Sequence, residues 1–254
     1  MFETLDISVD DCRAEIWLNR PATLNSLSRQ TLCDLIDAAA WLNRQPSVKA
    51  VMIAGRGRCF SAGADLDSFG GGDEESLRDA ADRGRRMADA IEQIQAITVA
   101  RLHGWCVGGG LVLASACDIR IASDECQFAI PEVALGIPLT WGGIPRLVRE
   151  IGPALTKELV ISCRNFNADE ALRIGFLNRR VQESELDGTV NELITALADR
   201  PAYPAMATKR HVNAIAGAAT GINNSWSEAD GMVAASLDEE CLRARAEYMA
   251  SLKK

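Results

Sequence analysis

Histidine is nearly absent: the 254-residue chain holds only His103 and His211. Two imidazoles are too few for a histidine-rich metal centre and leave little material for a Ser-His-Asp triad. His103 immediately precedes a glycine-rich turn and reads as a strand-end residue bonded to backbone. Cysteine is not scarce, at eight, but no two fall in a C-x-x-C pair and several lie inside apolar runs. Reduced, buried thiols are therefore expected rather than a disulfide framework, and no metal site is expected. There is no G-x-S-x-G elbow, no Walker loop, and no G-x-G-x-x-G run opening a helix. Basic residues are outnumbered, 27 Lys and Arg against 35 Asp and Glu, and the net charge of -8 argues against binding nucleic acid. The N-terminus carries no basic leader and no apolar run reaches the length of a membrane span. The expectation is a cytoplasmic protein with neither nucleic acid nor membrane as partner.

What is present is the composition of an ordinary globular chain, 48% hydrophobic and 24% charged. Residues 4–9 and 13–19 alternate apolar and polar side chains around Asp10 and Asp11, which predicts a hairpin. Ser28 is placed to cap a helix running to residue 44. Residues 48–54 predict a short, mostly apolar strand, followed by a glycine-containing loop, and a long helix is predicted from residue 73. Residues 97–102 predict the strand that leads to Gly108, Gly109 and Gly110, with a helix behind them. Residues 117–122 and 127–130 predict another strand pair. Strand-strand-helix units recur at a period of roughly 45 to 55 residues, which suggests stacked turns of one architecture. Beyond residue 143 the pattern is mainly helical. Residues 200–204 form the best linker candidate, and residues 205–218 and 225–252 predict two further helices.

Two loops share a type: each follows a strand, each places glycine beside small residues, and each can offer a backbone N–H to one oxygen atom. Two such donors aimed at one point make an oxyanion hole, able to stabilise a developing enolate by several kcal/mol in a dry pocket. The motifs LNRPATLNSL (18–27), FSAGADL (60–66), GWCVGGG (104–110), ACDIRIA (116–122) and FAIPEVALG (128–136) occur in that order. Together they resemble the crotonase superfamily, the enoyl-CoA hydratase/isomerase family, over about residues 12–180 and more weakly to the end.

The resemblance implies an α/β fold, a crotonase-like spiral of repeated strand-strand-helix (ββα) turns followed by a C-terminal helical region. It would divide into a core of residues 1–199 holding an acyl-CoA site and a helical region of residues 200–254 serving trimerisation. It implies oxyanion donors at Ala64 and Gly109, and a CoA channel lined by Ala62, Asp65, Leu66 and Asp67, with Arg20 as a candidate for the phosphates. Coenzyme A enters as part of the thioester substrate, no cofactor is bound permanently, and the assembly is a homotrimer or dimer of trimers. Hydratases of the family carry two glutamates; here only Glu132 matches, and the position of the other holds Val112. Valine can neither accept nor donate a proton, so one carboxylate remains to move a proton between two carbons. Isomerisation of a 3-enoyl-CoA to a 2-enoyl-CoA is favoured. Hydration or dehydration, with Asp67 or His103 replacing the missing glutamate, and a non-catalytic acyl-CoA-binding role are the alternatives. The segment LTWGGIPRL (139–147) departs from the family's commoner form, and Trp141 there either narrows the acyl pocket or packs under the next helix.

Overall fold

A computed structural model describes residues 2–66, 74–220 and 228–252. The chain opens with the hairpin β1 (Leu5–Asp10) and β2 (Arg13–Leu18), paired antiparallel around Asp10 and Arg13. Helix α1 (Arg29–Leu42) follows, and the Ser28 side chain accepts from the Thr31 N–H at its start. Strand β3 (Ala50–Gly55) is buried along its whole length. Val51 and Ile53 face the main core, whereas Ala50, Met52 and Ala54 face a second, smaller core. Burial on both faces is why its sequence is a continuous apolar run rather than an alternating one.

After α2 (Glu74–Glu92), the chain makes two similar turns. Strands β4 (Ile97–Leu102) and β5 (Trp105–Val107) lead into α3 (Gly109–Ser115), and then come β6 (Ile119–Ser123) and β7 (Gln127–Ala129). Within each pair the first strand joins a large sheet and the second a small one. The large sheet, completed by β9 (Arg179–Val181), has the order β1-β2-β3-β4-β6-β9, and the small one, completed by β8 (Phe166–Asn167), has the order β5-β7-β8. The loop after β3 joins this scheme through a bridge between Ser61 and Cys106. The expected pairing of residues 117–122 with 127–130 is therefore wrong: β6 pairs with β4 and β9, and β7 with β5 and β8. Neighbouring strands in a spiral pair with the next turn rather than with each other. The fold is the expected crotonase-type α/β spiral.

The later helices are α4 (Gly143–Ser162), kinked at Gly152 and Pro153, α5 (Ala168–Arg173), α6 (Leu186–Ala198), α7 (Ala202–Thr220), α8 (Glu228–Leu237) and α9 (Glu239–Ser251). Helix α6 covers the far face of the large sheet with Leu186, Val190 and Ile194. Of the single helix expected over residues 225–252, residues 225–227 lie outside the described residues and the rest forms two. Asp238 is extended and its carboxylate accepts from the Cys241 N–H, which ends one helix and starts the next. All eight cysteines are free thiols. Among the described residues, no helix is long and apolar enough to cross a membrane, and no cluster of metal-ligating side chains occurs.

Candidate functional site

The loop after β3 is pinned almost atom by atom. Phe60, Ser61, Ala62, Gly63 and Asp65 donate their N–H groups to His103 O (2.9 Å), Trp105 O (3.1 Å), Leu24 O (2.9 Å), Ser61 Oγ (3.2 Å) and Leu27 O (3.2 Å) respectively. Asn25, fully buried, fixes the same loop by donating to Arg56 O and Cys59 O while accepting from the Arg20 N–H. Of the N–H groups from residue 60 to 65, only that of Ala64 has no acceptor among the described residues. An N–H left free in so satisfied a loop points to an external partner.

The second loop supplies the matching donor. Gly108 gives its N–H to Ala129 O at 2.9 Å, and α3 begins at Gly109, whose N–H belongs to the helix's unpaired first turn. Ser61 ties the two loops together, because its carbonyl accepts from the Val107 N–H at 3.0 Å. A Cβ on Gly63 would stand 2.7 Å from Val107 O and 3.5 Å from Gly109 N. The donors expected at Ala64 and Gly109 thus lie on adjoining backbone.

Glu132 reaches the same place from the segment after β7. Its Oε1 is 2.4 Å from where a Gly108 Cβ would be, so the carboxyl rests on bare backbone that only glycine provides; Gly108 also has a φ of +47°. The residue as a whole is half-buried, but Oε2 is sealed from solvent and has no hydrogen-bond partner among the described residues. Burial pushes its pKa up to about 7, against a lesser downward pull from its own backbone N–H.

These groups face one cavity of about 750 Å³. Ala62, Ala64, Asp65, Leu66 and Arg20 line one part of it, and Leu77, Leu135, Leu139, Trp141 and Met232 give it an apolar wall. Val112 is also in that wall and 1% exposed, so no second carboxylate stands opposite Glu132 there. The Arg20 guanidinium is committed to Asp65 at 2.8 Å and to Ser26 O at 2.7 Å. Asp67 lies outside the described residues. His103 is not in the cavity wall, and both of its ring nitrogens are engaged, Nδ1 with the Arg101 guanidinium and Nε2 with Gly57 O, each at 2.9 Å. Burial holds its pKa below the usual imidazole value. Asp118, the acid of the 116–122 motif, accepts from the Thr98 N–H and hydroxyl and from Lys209 Nζ, and braces the fold away from the cavity.

Trp141 both lines the cavity and packs. Its ring lies between α2 and α3, so close that a Cβ on Gly84 would be 2.0 Å from it and one on Gly109 2.2 Å. Sequence reasoning missed the residues that α9 adds to the wall: Arg245, Tyr248, Met249 and Leu252. Their spacing of three, one and three marks one helical face, but its target could not be read without the fold.

Residues 11–241 match the family described as Enoyl-CoA hydratase/isomerase. The chain belongs to that family. A crotonyl-CoA hydratase from Syntrophomonas wolfei subsp. wolfei is 33% identical over 243 residues, covering 94% of this chain and 93% of the relative. A peroxisomal Delta(3,5)-Delta(2,4)-dienoyl-CoA isomerase from Arabidopsis thaliana is 31% identical over 224 residues, covering 82% and 81%. Among solved structures, an enoyl-CoA hydratase from Mycobacterium avium subsp. paratuberculosis K-10 aligns with a TM-score of 0.87 at 25% identity, covering 98% of this chain and 96% of that one. Family membership makes the chain an enzyme of the enoyl-CoA hydratase/isomerase type acting on a CoA thioester. Relatives bearing both names show that membership leaves the reaction open.

Proposed function

We propose that the protein isomerises a 3-enoyl-CoA to the conjugated 2-enoyl-CoA. The thioester carbonyl oxygen accepts from the Ala64 and Gly109 N–H groups, and the CoA portion runs past Ala62, Asp65 and Leu66, with Arg20 at the rim. The Glu132 carboxylate removes a proton from C2, and the electron pair moves into a dienolate whose negative oxygen the two N–H groups hold. Glu132, now protonated, returns the proton to C4, and the double bond shifts to C2–C3. A carboxyl of pKa about 7 suits both halves of this transfer at neutral pH. The observation that carries the reading is the pairing of one sealed, partnerless carboxyl with Val112 in place of a second one.

A second reading, hydration of a 2-enoyl-CoA, draws on the hydratase name of the Syntrophomonas relative. The two separate when both substrates are offered and the absorbance of the conjugated thioester is followed. Isomerisation predicts a gain of absorbance from the 3-enoyl substrate, reduced by Glu132→Gln about 10²- to 10⁴-fold, the range for a lost general acid–base. It also predicts little loss from the 2-enoyl substrate until Val112→Glu supplies a second carboxylate. Rapid hydration by the unmodified protein would overturn the isomerase reading. Binding without turnover of either substrate would assign the protein a carrier role.

A further inference from the structure

The loop that carries Ala64 runs beside residues 103–107 as a short ladder. Phe60 donates its N–H to His103 O at 2.9 Å, Ser61 donates to Trp105 O at 3.1 Å, and Val107 donates back to Ser61 O at 3.0 Å. Ala64 follows Ser61 by three residues on one side, and Gly109 follows Val107 by two on the other. The register of this ladder therefore sets where the two N–H groups meet. At its open end the backbones nearly touch, since a Cβ on Gly104 would stand 2.1 Å from Arg58 O.

The His103 side chain closes that end. It is 7% exposed, and its Nε2 meets Gly57 O while its Nδ1 meets the Arg101 guanidinium, each at 2.9 Å. A carbonyl oxygen only accepts and a guanidinium only donates, so the partners fix the tautomer: Nε2 carries the proton and Nδ1 is bare. His103 thus holds the loop twice, through its own carbonyl at Phe60 and through its ring at Gly57. Arg101 is aimed in turn by Asp187 of α6, whose Oδ1 accepts from its Nε at 2.6 Å.

A second proton on this ring would set an Nδ1–H against the Arg101 N–H, donor to donor and cation to cation. Arg101 on β4 opposes that proton, whereas Asp187 and Glu183, on α6 and in the turn before it, favour it. Arg56 and Arg58 flank Gly57; the first lies over the Trp17 ring and pairs with Asp6, and the charge of the second bears on Cys59. Burial is the largest influence, and with Arg101 it holds the imidazole below its usual pKa. A contact of this kind supports the fold above the unfolded imidazole value and is lost as pH falls through the folded one.

We propose that His103 is a positioning residue for the Ala64 N–H: the neutral ring latches the loop after β3 to the end of β4, and a second proton on the ring releases the latch. This rests on Ala64 being an oxyanion donor, as proposed above. It gives the histidine a part in the reaction without a place in the cavity.

His103→Gln is the discriminating variant. Its amide oxygen can accept from Arg101 and its amide N–H can donate to Gly57 O, but it does not titrate. His103→Leu removes both contacts. The test follows amide hydrogen exchange at Phe60, Ser61 and Ala62 by NMR in the free proteins at pH 7.5 and pH 4.5, corrected for the intrinsic pH dependence of exchange, together with turnover of a 3-enoyl-CoA. We expect protection in the unmodified protein to be about tenfold lower at the acid pH, the scale of one lost hydrogen bond, and to be the same at both pH values in His103→Gln. At neutral pH we expect kcat to fall about tenfold in His103→Leu with KM little changed, and His103→Gln to restore most of it. Protection that does not respond to pH in the unmodified protein, or that falls as far in His103→Gln, would overturn the proposal. So would a His103→Leu protein that turns over the substrate at the unmodified rate. Where His103→Leu does not fold, the exchange comparison with His103→Gln carries the test alone. That comparison needs no turnover, so a pH-dependent latch in a protein that isomerises nothing would sustain the hold of His103 on the loop while removing the isomerase reading.

Discussion

A carboxyl sealed from water weighs on the fold in a way that depends on pH. Glu132 has its proton affinity raised, to about 7 from an ordinary value of 4.5. A group raised in the folded state favours folding below its unfolded pKa, and that advantage is lost as pH rises through the folded value. Between about pH 4.5 and 7 the folded state therefore gives up as much as about 3 kcal/mol at this one residue. Glu132→Gln should be more stable than the unmodified protein at pH 8 and lose most of that advantage at pH 4.5, as urea unfolding at both values would measure. Equal differences at both pH values would mean that the carboxyl is hydrated after all. Glu228, also raised by burial while accepting from the Gly142 N–H, adds a drift of the same sign that the substitution leaves in place. At this scale the motifs singled out Glu132, Ala64 and Gly109, which line one cavity, because each sits in a short pattern that backbone geometry demands. The same patterns hold Asp118 and Asn25, which serve the scaffold. A motif marks a constrained position, and only the neighbours across the chain tell chemistry from bracing. The neutralisation of Arg20 by Asp65, 45 positions away, is of that second kind.

Between elements, the contact that shapes the cavity is the wedge of Trp141 between α2 and α3. Trp141 has a φ of +64°, unusual for a bulky residue, and Gly142 follows at +69°. Their turn is held by Glu228 Oε2, which accepts from the Gly142 N–H at 2.9 Å, and by the buried Arg146, which donates to Gly142 O and pairs with Asp89 and Glu92 on α2. The sequence left Trp141 open between narrowing the pocket and packing, and the geometry makes it do both. Gly84→Ala tests the wedge against a plain alternative. Helix propensity alone predicts a gain of about 1 kcal/mol in the middle of α2. The added methyl would overlap the ring, so we expect the clash to prevail, with a lower thermal midpoint and a changed preference among acyl chain lengths. A raised midpoint would show that the ring yields freely. The break between α8 and α9 was hidden by the helix-forming residues on both sides of Asp238. An internal cap is legible only once something shows that the helix must turn.

At the scale of the molecule, the repeat of strand and helix foretold the spiral, but not which strands pair. Pairing with the next turn is a long-range property, and the short β8 and β9 leave almost no periodic signal. The C-terminal region was expected to serve assembly, and its helices differ in what they face. Met232 of α8 and the face of α9 close the cavity of their own chain. Helix α7 instead keeps Tyr203 79% exposed, Val212 58% and Ile215 61%, with Val212 and Ile215 one helical turn apart. If copies meet through that face, as the resemblance leads us to expect of a homotrimer or dimer of trimers, assembly and chemistry are separable, because described residues of one chain already bring Ala64, Gly109, Glu132 and the face of α9 to one cavity. The double substitution Val212→Asp with Ile215→Asp should then lower the mass found by analytical ultracentrifugation while each chain keeps most of its kcat/KM. An unchanged mass would place the contact elsewhere on the surface. A dissociated chain that retains its folded circular dichroism spectrum but has lost turnover would mean that a neighbouring copy completes the cavity, and the closure by α9 would then be insufficient by itself.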